Sequence, residues 1–348
     1  MVSLWVLIGI LIKILVVVGI TQGAVAYLIL VERKVAAYTQ DRIGPNRAGP
    51  FALLQPLADG AKMLLKEDVV PKYVSKPLYI LAPWIAIVTA MVAFAVVPFG
   101  PVGPDQIMNF QIAPHVNIGL LYVFAVGSLA VYGVILAGWA SNNKYAFLGG
   151  LRSTAQLISY EIPLGLSVLG MVLITGSLDL NDIINWQDRQ GFWGWGIFVQ
   201  PLGFLLFLVS AFAETNRLPF DLPEAEQELV GGFHTEYSAM KFGMFFLGEY
   251  LHIITVSYIT VILFFGGWDV PFLLSQEQTS IWSAALKALV MIVKVFLVIL
   301  FMMWVRWTLP RFRYDQLMDL AWKSMIPLAL INLVATAAVV QLIRSYWT

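Results

Sequence analysis

Runs of about 20 mostly apolar residues, each the length that crosses a bilayer as a helix, recur along this chain near 3–30, 77–98, 117–139, 152–176, 196–212, 241–265, 284–307 and 321–343. In hydrocarbon every backbone N–H and C=O must find a partner within the protein, so a run of this kind folds as a helix. With 59% hydrophobic and 12% charged residues, the composition matches a chain whose main solvent is lipid. The fold class is therefore all-α polytopic, with about eight transmembrane helices in a single integral membrane domain over residues 1–348. The first run is too long for a signal peptide and lacks a small-residue cleavage site, so it reads as a retained helix.

Cysteine is absent, which excludes disulfides, Cys-ligated iron–sulfur clusters and thiolate chemistry. His115, His234 and His252 lie in three separate regions, leaving no evident pair of haem ligands. Glu249-x-x-His252 is half of a di-iron helix signature whose second copy is missing, so no metal site is expected. Any redox centre belongs to another chain.

Lysine and arginine concentrate in the odd-numbered connections: Arg33, Lys34, Arg42, Arg47, Lys62, Lys66, Lys72 and Lys76 in the first, Lys144 and Arg152 in the third, Arg217 and Lys241 in the fifth, Arg306, Arg311, Arg313 and Lys323 in the seventh. Cytoplasmic loops hold the basic excess. Both termini are thus expected outside. The first cytoplasmic connection covers 31–76, and an acidic cytoplasmic loop covers 213–240.

That loop, "FAETNRLPFDLPEAEQELVGGFHTEY", gathers Glu214, Asp221, Glu224, Glu226, Glu228 and Glu236 around a lone Arg217. Pro219 and Pro223 stiffen it, Phe220, Leu222, Leu229 and Val230 give it apolar surface to bury, and Asp221-Leu-Pro-Glu224 has the form of an N-cap with its capping-box glutamate. A helix starting there places Glu224 and Glu228 one turn apart on one face. Like charges so close, if partly dry, share protons and titrate as a unit.

Three charges fall inside apolar runs. Glu161 and Glu249 lie roughly 15 and 12 Å past the inner ends of the fourth and sixth runs at 1.5 Å per residue. Ionisable groups at such depth face protein or water and mark ion or proton paths by default. Pro163 opens the turn holding Glu161, because it cannot donate to the carbonyl of Ser159. Lys294, mid-span in the seventh run, is expected to pair with a carboxylate, whereas Lys13 and Lys287 are expected to snorkel along lipid. In the first connection, Leu53, Leu57 and Leu64 share one helical face opposite Gln55, Asp59, Lys62 and Lys66, which predicts an amphipathic helix on the membrane surface.

Four stretches, "ERKVAAYTQDRIGPNRAGPFALLQPLADGAKMLLKED", "GGLRSTAQLISYEIPLGLSVL", "FAETNRLPFDLPEAEQELVGGFHTEYSAMKFGMFFLGEY" and "RWTLPRFRYDQLMDLAWK", closely resemble the family of H subunits of bacterial NADH–quinone oxidoreductase, called subunit 1 in mitochondrial complex I. The resemblance implies a non-redox membrane subunit that encloses much of a quinone-access chamber. Its implied partners are two peripheral-arm subunits, one with the terminal iron–sulfur cluster and one at the quinone headgroup, together with small membrane subunits, antiporter-like pump subunits and lipids. Iron–sulfur clusters and FMN are implied on partner chains and quinone as the substrate; the expected location is the bacterial plasma membrane, with the mitochondrial inner membrane as the alternative. Nucleic acid is not an expected partner.

Carried over residue by residue, the family's acidic route falls on Glu161, Glu214, Asp221, Glu224, Glu226, Glu228 and Glu249. The surroundings of its quinone entrance fall on Glu32, Arg33, Arg42, Arg47, Asp59 and Arg217. Arg306 lies in the last matching motif, and the resemblance gives Glu236 and Lys294 no role. A related complex with another electron donor, a stand-alone ion transporter and a purely structural anchor remain alternatives for the same residues.

Overall fold

The computed structural model describes residues 4–101, 111–114, 116–222, 226–270 and 281–347, and His115 lies outside them. The described chain is helical throughout its length: α1 Leu4–Thr39, α2 Gln55–Leu65, α3 Lys76–Val92, α4 Gly119–Ala140, α5 Lys144–Thr175, α6 Leu180–Gln190, α7 Gly196–Val199, α8 Pro201–Glu214, α9 Glu226–Leu229, α10 Ala239–Phe264, α11 Ile281–Thr308, α12 Tyr314–Asp319 and α13 Ile326–Trp347. A π-helical stretch, Leu320–Met325, joins the last two. Seven helical segments among the described residues are long and apolar enough to cross a membrane.

The fifth expected crossing is divided. Gln200 leaves helical geometry and Pro201 restarts the helix at its first position, where a missing N–H costs nothing. The apolar remainder, α8, has 14 residues and so spans only about 21 Å. The break is held by polar contacts with α13: Gln200 Nε2 donates to Thr336 Oγ1 at 2.7 Å, and Asn332 Nδ2 donates to Gln200 Oε1 at 3.0 Å.

α10 is the axle of the bundle. Nearly all of its C-terminal two-thirds is buried, and it packs against α1, α3 and α11. Close approach to α3 depends on Gly248, where a Cβ would sit 3.2 Å from the carbonyl oxygen of Ala86. A side chain here would push α3 away from the helix that carries Glu249.

Two helices outgrow their apolar runs. α1 stays helical to Thr39, which keeps Glu32 within the fold. α5 begins at Lys144 because the Asn143 side chain accepts a hydrogen bond from the Tyr145 N–H at 2.9 Å, a cap that hydropathy cannot register. α6, absent from the hydropathy pattern, is capped by Asp179 and buries Ile183, Ile184 and Gln187. Gln187 staples it in place, donating to the carbonyl of Ile262 at 2.7 Å and accepting from the N–H groups of Gly196 and Gly266 at 3.0 and 3.2 Å.

In the first connection α2 forms with none of its residues buried, and Leu57 and Leu64 are exposed. An apolar stripe left open on a short helix is the form of an element that lies on lipid. Lys287 departs from its expected snorkelling. It is buried at 4% exposure on the same inward stripe as Ala284, Ala288, Met291 and Val295, because α11 turns that face into the bundle.

Candidate functional site

A buried guanidinium organises the site. Arg217, in the connection after α8, is 5% exposed. It donates from Nη1 to both oxygens of Glu32 at 2.8 and 3.0 Å, pairs through Nε with Glu249, and lies 4.4 Å from the Tyr250 ring centroid. Glu32 is also paired with Arg306 and accepts from the Tyr250 hydroxyl at 2.6 Å. Residues of α1, α10, α11 and the acidic connection thus meet at one knot. Burial pulls the Arg217 pKa down, but Glu249, Glu32 and Tyr250 outweigh it and leave it raised, so the guanidinium stays charged.

Glu249 also lines a cavity with space of about 100 Å³, enough for several water molecules. Glu161, Ser128, Glu214, His234 and His252 share its walls with a set of aromatic and small residues. Inside it Ser128 donates to Glu161, and His252 Nε2 lies 3.2 Å from Glu214 Oε1. The second Glu214 oxygen is buried with no hydrogen-bond partner among the described residues.

The acidic loop is folded onto the bundle. A Cβ on Gly149 would lie 2.7 Å from the Cα of Gly232, so two glycines in backbone contact let the loop seat Phe233 and His234 at the cavity wall. Gln156 Nε2 fastens its other end, donating to the carbonyls of Ala213 and Phe220, each at 2.8 Å.

Three of the loop acids sit on separate partners. Asp221 accepts from Arg311 at 3.0 Å, Glu228 from Arg152 at 2.6 Å, and Glu236 from Asn143 Nδ2 at 2.5 Å. The described helix of the loop is the short α9, and the expected helix from Asp221 through Glu224 runs over residues outside the described ones. Glu224 lies outside the described residues, and of Glu226 only the α9 backbone is described.

On the first connection, Arg33 pairs with Asp59 at 2.6 Å, and Arg42 and Arg47 lie exposed in the following loop. Lys294 binds carbonyl oxygens, with the Asp269 carboxylate close enough to interact with it electrostatically. Its Nζ donates to Phe265 at 2.8 Å and Asp269 at 2.5 Å beyond the C-terminal end of α10, over the Trp195 ring. The open carbonyls at a helix C-terminus favour a cation. No group of three or more His, Asp and Glu residues among the described residues is arranged to hold a metal ion; Glu249 is drawn to Arg217 and His252 to Glu214.

Sequence reading did not identify the Glu32–Arg306 contact, the Tyr250 hydroxyl, Ser128 or the His252–Glu214 pair. The one signal for the last was His252 three residues after Glu249, one helical turn away on the same side of α10.

A family model described as NADH dehydrogenase matches residues 12–337. The chain is 50% identical over 321 residues to an H subunit of NADH-quinone oxidoreductase from Cytophaga hutchinsonii, covering 91% of this chain and 92% of that one. It is 48% identical over 345 residues to the second H subunit of Koribacter versatilis, covering 95% and 97%. With the H subunit of Leptospira biflexa it shares 51% over 328 residues, covering 91% and 90%.

Proposed function

The chain belongs to the NADH dehydrogenase family, and from that premise we propose that it is the H-type membrane subunit of an NADH–quinone oxidoreductase, lining the quinone-access chamber and coupling quinone reduction to proton movement. The observation that carries the coupling is the knot at Arg217. Its one side holds Glu32 and Arg306, and its other holds Glu249, which opens on the water-sized cavity containing Glu161 and Glu214.

Quinone reduction consumes protons, and a change of charge beside Glu32 or Arg306 alters the pull on Arg217. Arg217 cannot relax toward one carboxylate without loosening from the other. The cavity carboxylates then take up or release protons in response, since in a site of low dielectric one charge strongly biases its neighbours. The chain has no cysteine with which to ligate a cluster. Its own part is electrostatic, and electrons travel on peripheral-arm partners that carry the iron–sulfur clusters and FMN.

The acidic loop and the exposed Arg33, Arg42 and Arg47 then belong to the side where the peripheral arm docks, with both termini on the opposite side of a bacterial plasma membrane. The cavity between α3, α4, α5 and α10 faces the small membrane subunits and the pump subunits beyond them. Replacing Glu161 or Glu224 with Gln in the assembled enzyme is expected to lower quinone-linked turnover. Normal turnover with full proton pumping in both variants would sink the coupling role.

A further inference from the structure

A second, smaller cavity adjoins the first, with space of about 20 Å³, room for about one water molecule. Its walls come from α3, α4, α8 and α10, and apart from Thr89, Thr255, Glu214 and His252 they are apolar. The two cavities share Ala90, Gly127, Ala130, Glu214 and His252. Only the last two of these can carry a proton. Glu214 and His252 therefore stand in the partition, each bordering both spaces.

We propose that His252 is a proton-exchanging partner of Glu214, and that the pair is the gate between the water-holding cavity of Glu161 and Glu249 and the drier cavity lined by Thr89 and Thr255. This inference rests on the coupling role proposed above and adds a residue and a direction to it. The geometry carries it in three ways. His252 Nε2 is 3.2 Å from Glu214 Oε1, within reach of direct transfer. Glu214 Oε2 is buried without a hydrogen-bond partner among the described residues, so it is open to a proton or a water. Finally, Gly127 presents no side chain to the pair; a Cβ there would lie 3.5 Å from Glu214 Oε1 and 3.7 Å from His252 Cε1.

The transfer conserves charge and atoms. A proton on the Glu214 carboxyl passes to His252 Nε2, leaving a carboxylate and an imidazolium; the imidazolium releases a proton toward the second cavity or returns it to Glu214. Nothing is oxidised or reduced. Imidazole suits the position because it both accepts and donates near neutral pH. The ionisable groups facing the pair across the first cavity are Glu161 from α5, Glu249 from α10 and His234 from the acidic loop; the second cavity adds none beyond Glu214 and His252.

The test is made in the intact complex, in native membrane vesicles. His252→Asn keeps a polar amide of similar reach but cannot titrate. The variant is expected to assemble, to change the pH profile of turnover, and to pump fewer protons per quinone reduced. Gly127→Val fills the partition while leaving every charge in place, and should lower pumping in the same way. It reads the same gate even if His252→Asn fails to accumulate. Glu161→Gln is run alongside. Reduced turnover in Glu161→Gln, with the pH profile of His252→Asn and the pumping of Gly127→Val both unchanged, overturns the gate and leaves the coupling role standing. Unchanged turnover and pumping in all three overturns both.

Discussion

Two ion pairs anchored in the same acidic loop behave as opposites. Arg217 and Glu32 are 5% and 6% exposed and meet in the middle of the bundle. The side chains of Arg152 and Glu228 are 34% and 53% exposed and meet at its surface. Both are arginine–carboxylate contacts below 3 Å. The difference is water. At the surface, solvent already stabilises each charge and the pair adds at most about 1 kcal/mol. In the interior each charge depends on its partner, and removing one leaves the other stranded at a cost of about 3–5 kcal/mol. A loop that reads as one run of carboxylates is therefore two kinds of site.

Arg217→Met should produce the largest effect. It removes the cation that Glu249 shares with Glu32, leaving Glu32 to Arg306 and Tyr250, so the complex is expected to be scarce or absent on a native gel, at a cost of about 3–5 kcal/mol. Wild-type abundance would show that the knot is not the buried junction described above. Tyr250→Phe removes the hydroxyl that donates to Glu32 at 2.6 Å and also hydrogen-bonds with Arg217; hydrogen bonds to charged groups contribute about 1.5–3 kcal/mol, so the thermal midpoint should fall with the complex still assembled. An unchanged midpoint would mean that Glu32 is held by its arginines alone.

Asp269 supplies an intermediate case, a buried acid that faces another acid. Burial and the neighbouring Asp188, which shares a hydrogen bond with it, raise the Asp269 pKa from 3.8 to about 6, against the opposing influence of Lys294 and Trp195. The native chain then binds more protons than the unfolded chain between 3.8 and about 6. Its contribution to stability is present at low pH and is lost as pH rises through that window. Asp269→Asn should flatten the slope of thermal midpoint against pH there, and a slope equal to wild type would contradict the pairing. The smallest effect is expected of Glu228→Gln, a change within about 1 kcal/mol in stability. A loss as large as that of Arg217→Met would erase the distinction between the two pairs.

How much of this was legible depended on the range of the interaction. The crossings follow from local hydropathy, and most came out within a few residues. Where boundaries moved, the cause was local chemistry of another kind: the Asn143 cap begins α5 well before its apolar run, and Gln200–Pro201 cuts the fifth crossing short. Glu161 and Glu249 stood out as acids in apolar surroundings, and the cavity brings them together. The partners of the loop carboxylates were not legible from spacing along the chain; Asp221 and Glu228 found their arginines 90 and 76 residues away.

By itself, the sequence determined the solvent this protein lives in, the helical form that solvent imposes, the absence of thiol chemistry and the family to which the chain belongs. These are properties of composition and of short runs, and they need no knowledge of packing. Only the tertiary structure decided which charges are dry and which partners they have. Arg217 meets Glu32 across 185 residues, and Arg306 meets it across 274. The energy of such a contact is set by the burial that brings it about, and burial is a property of the whole bundle.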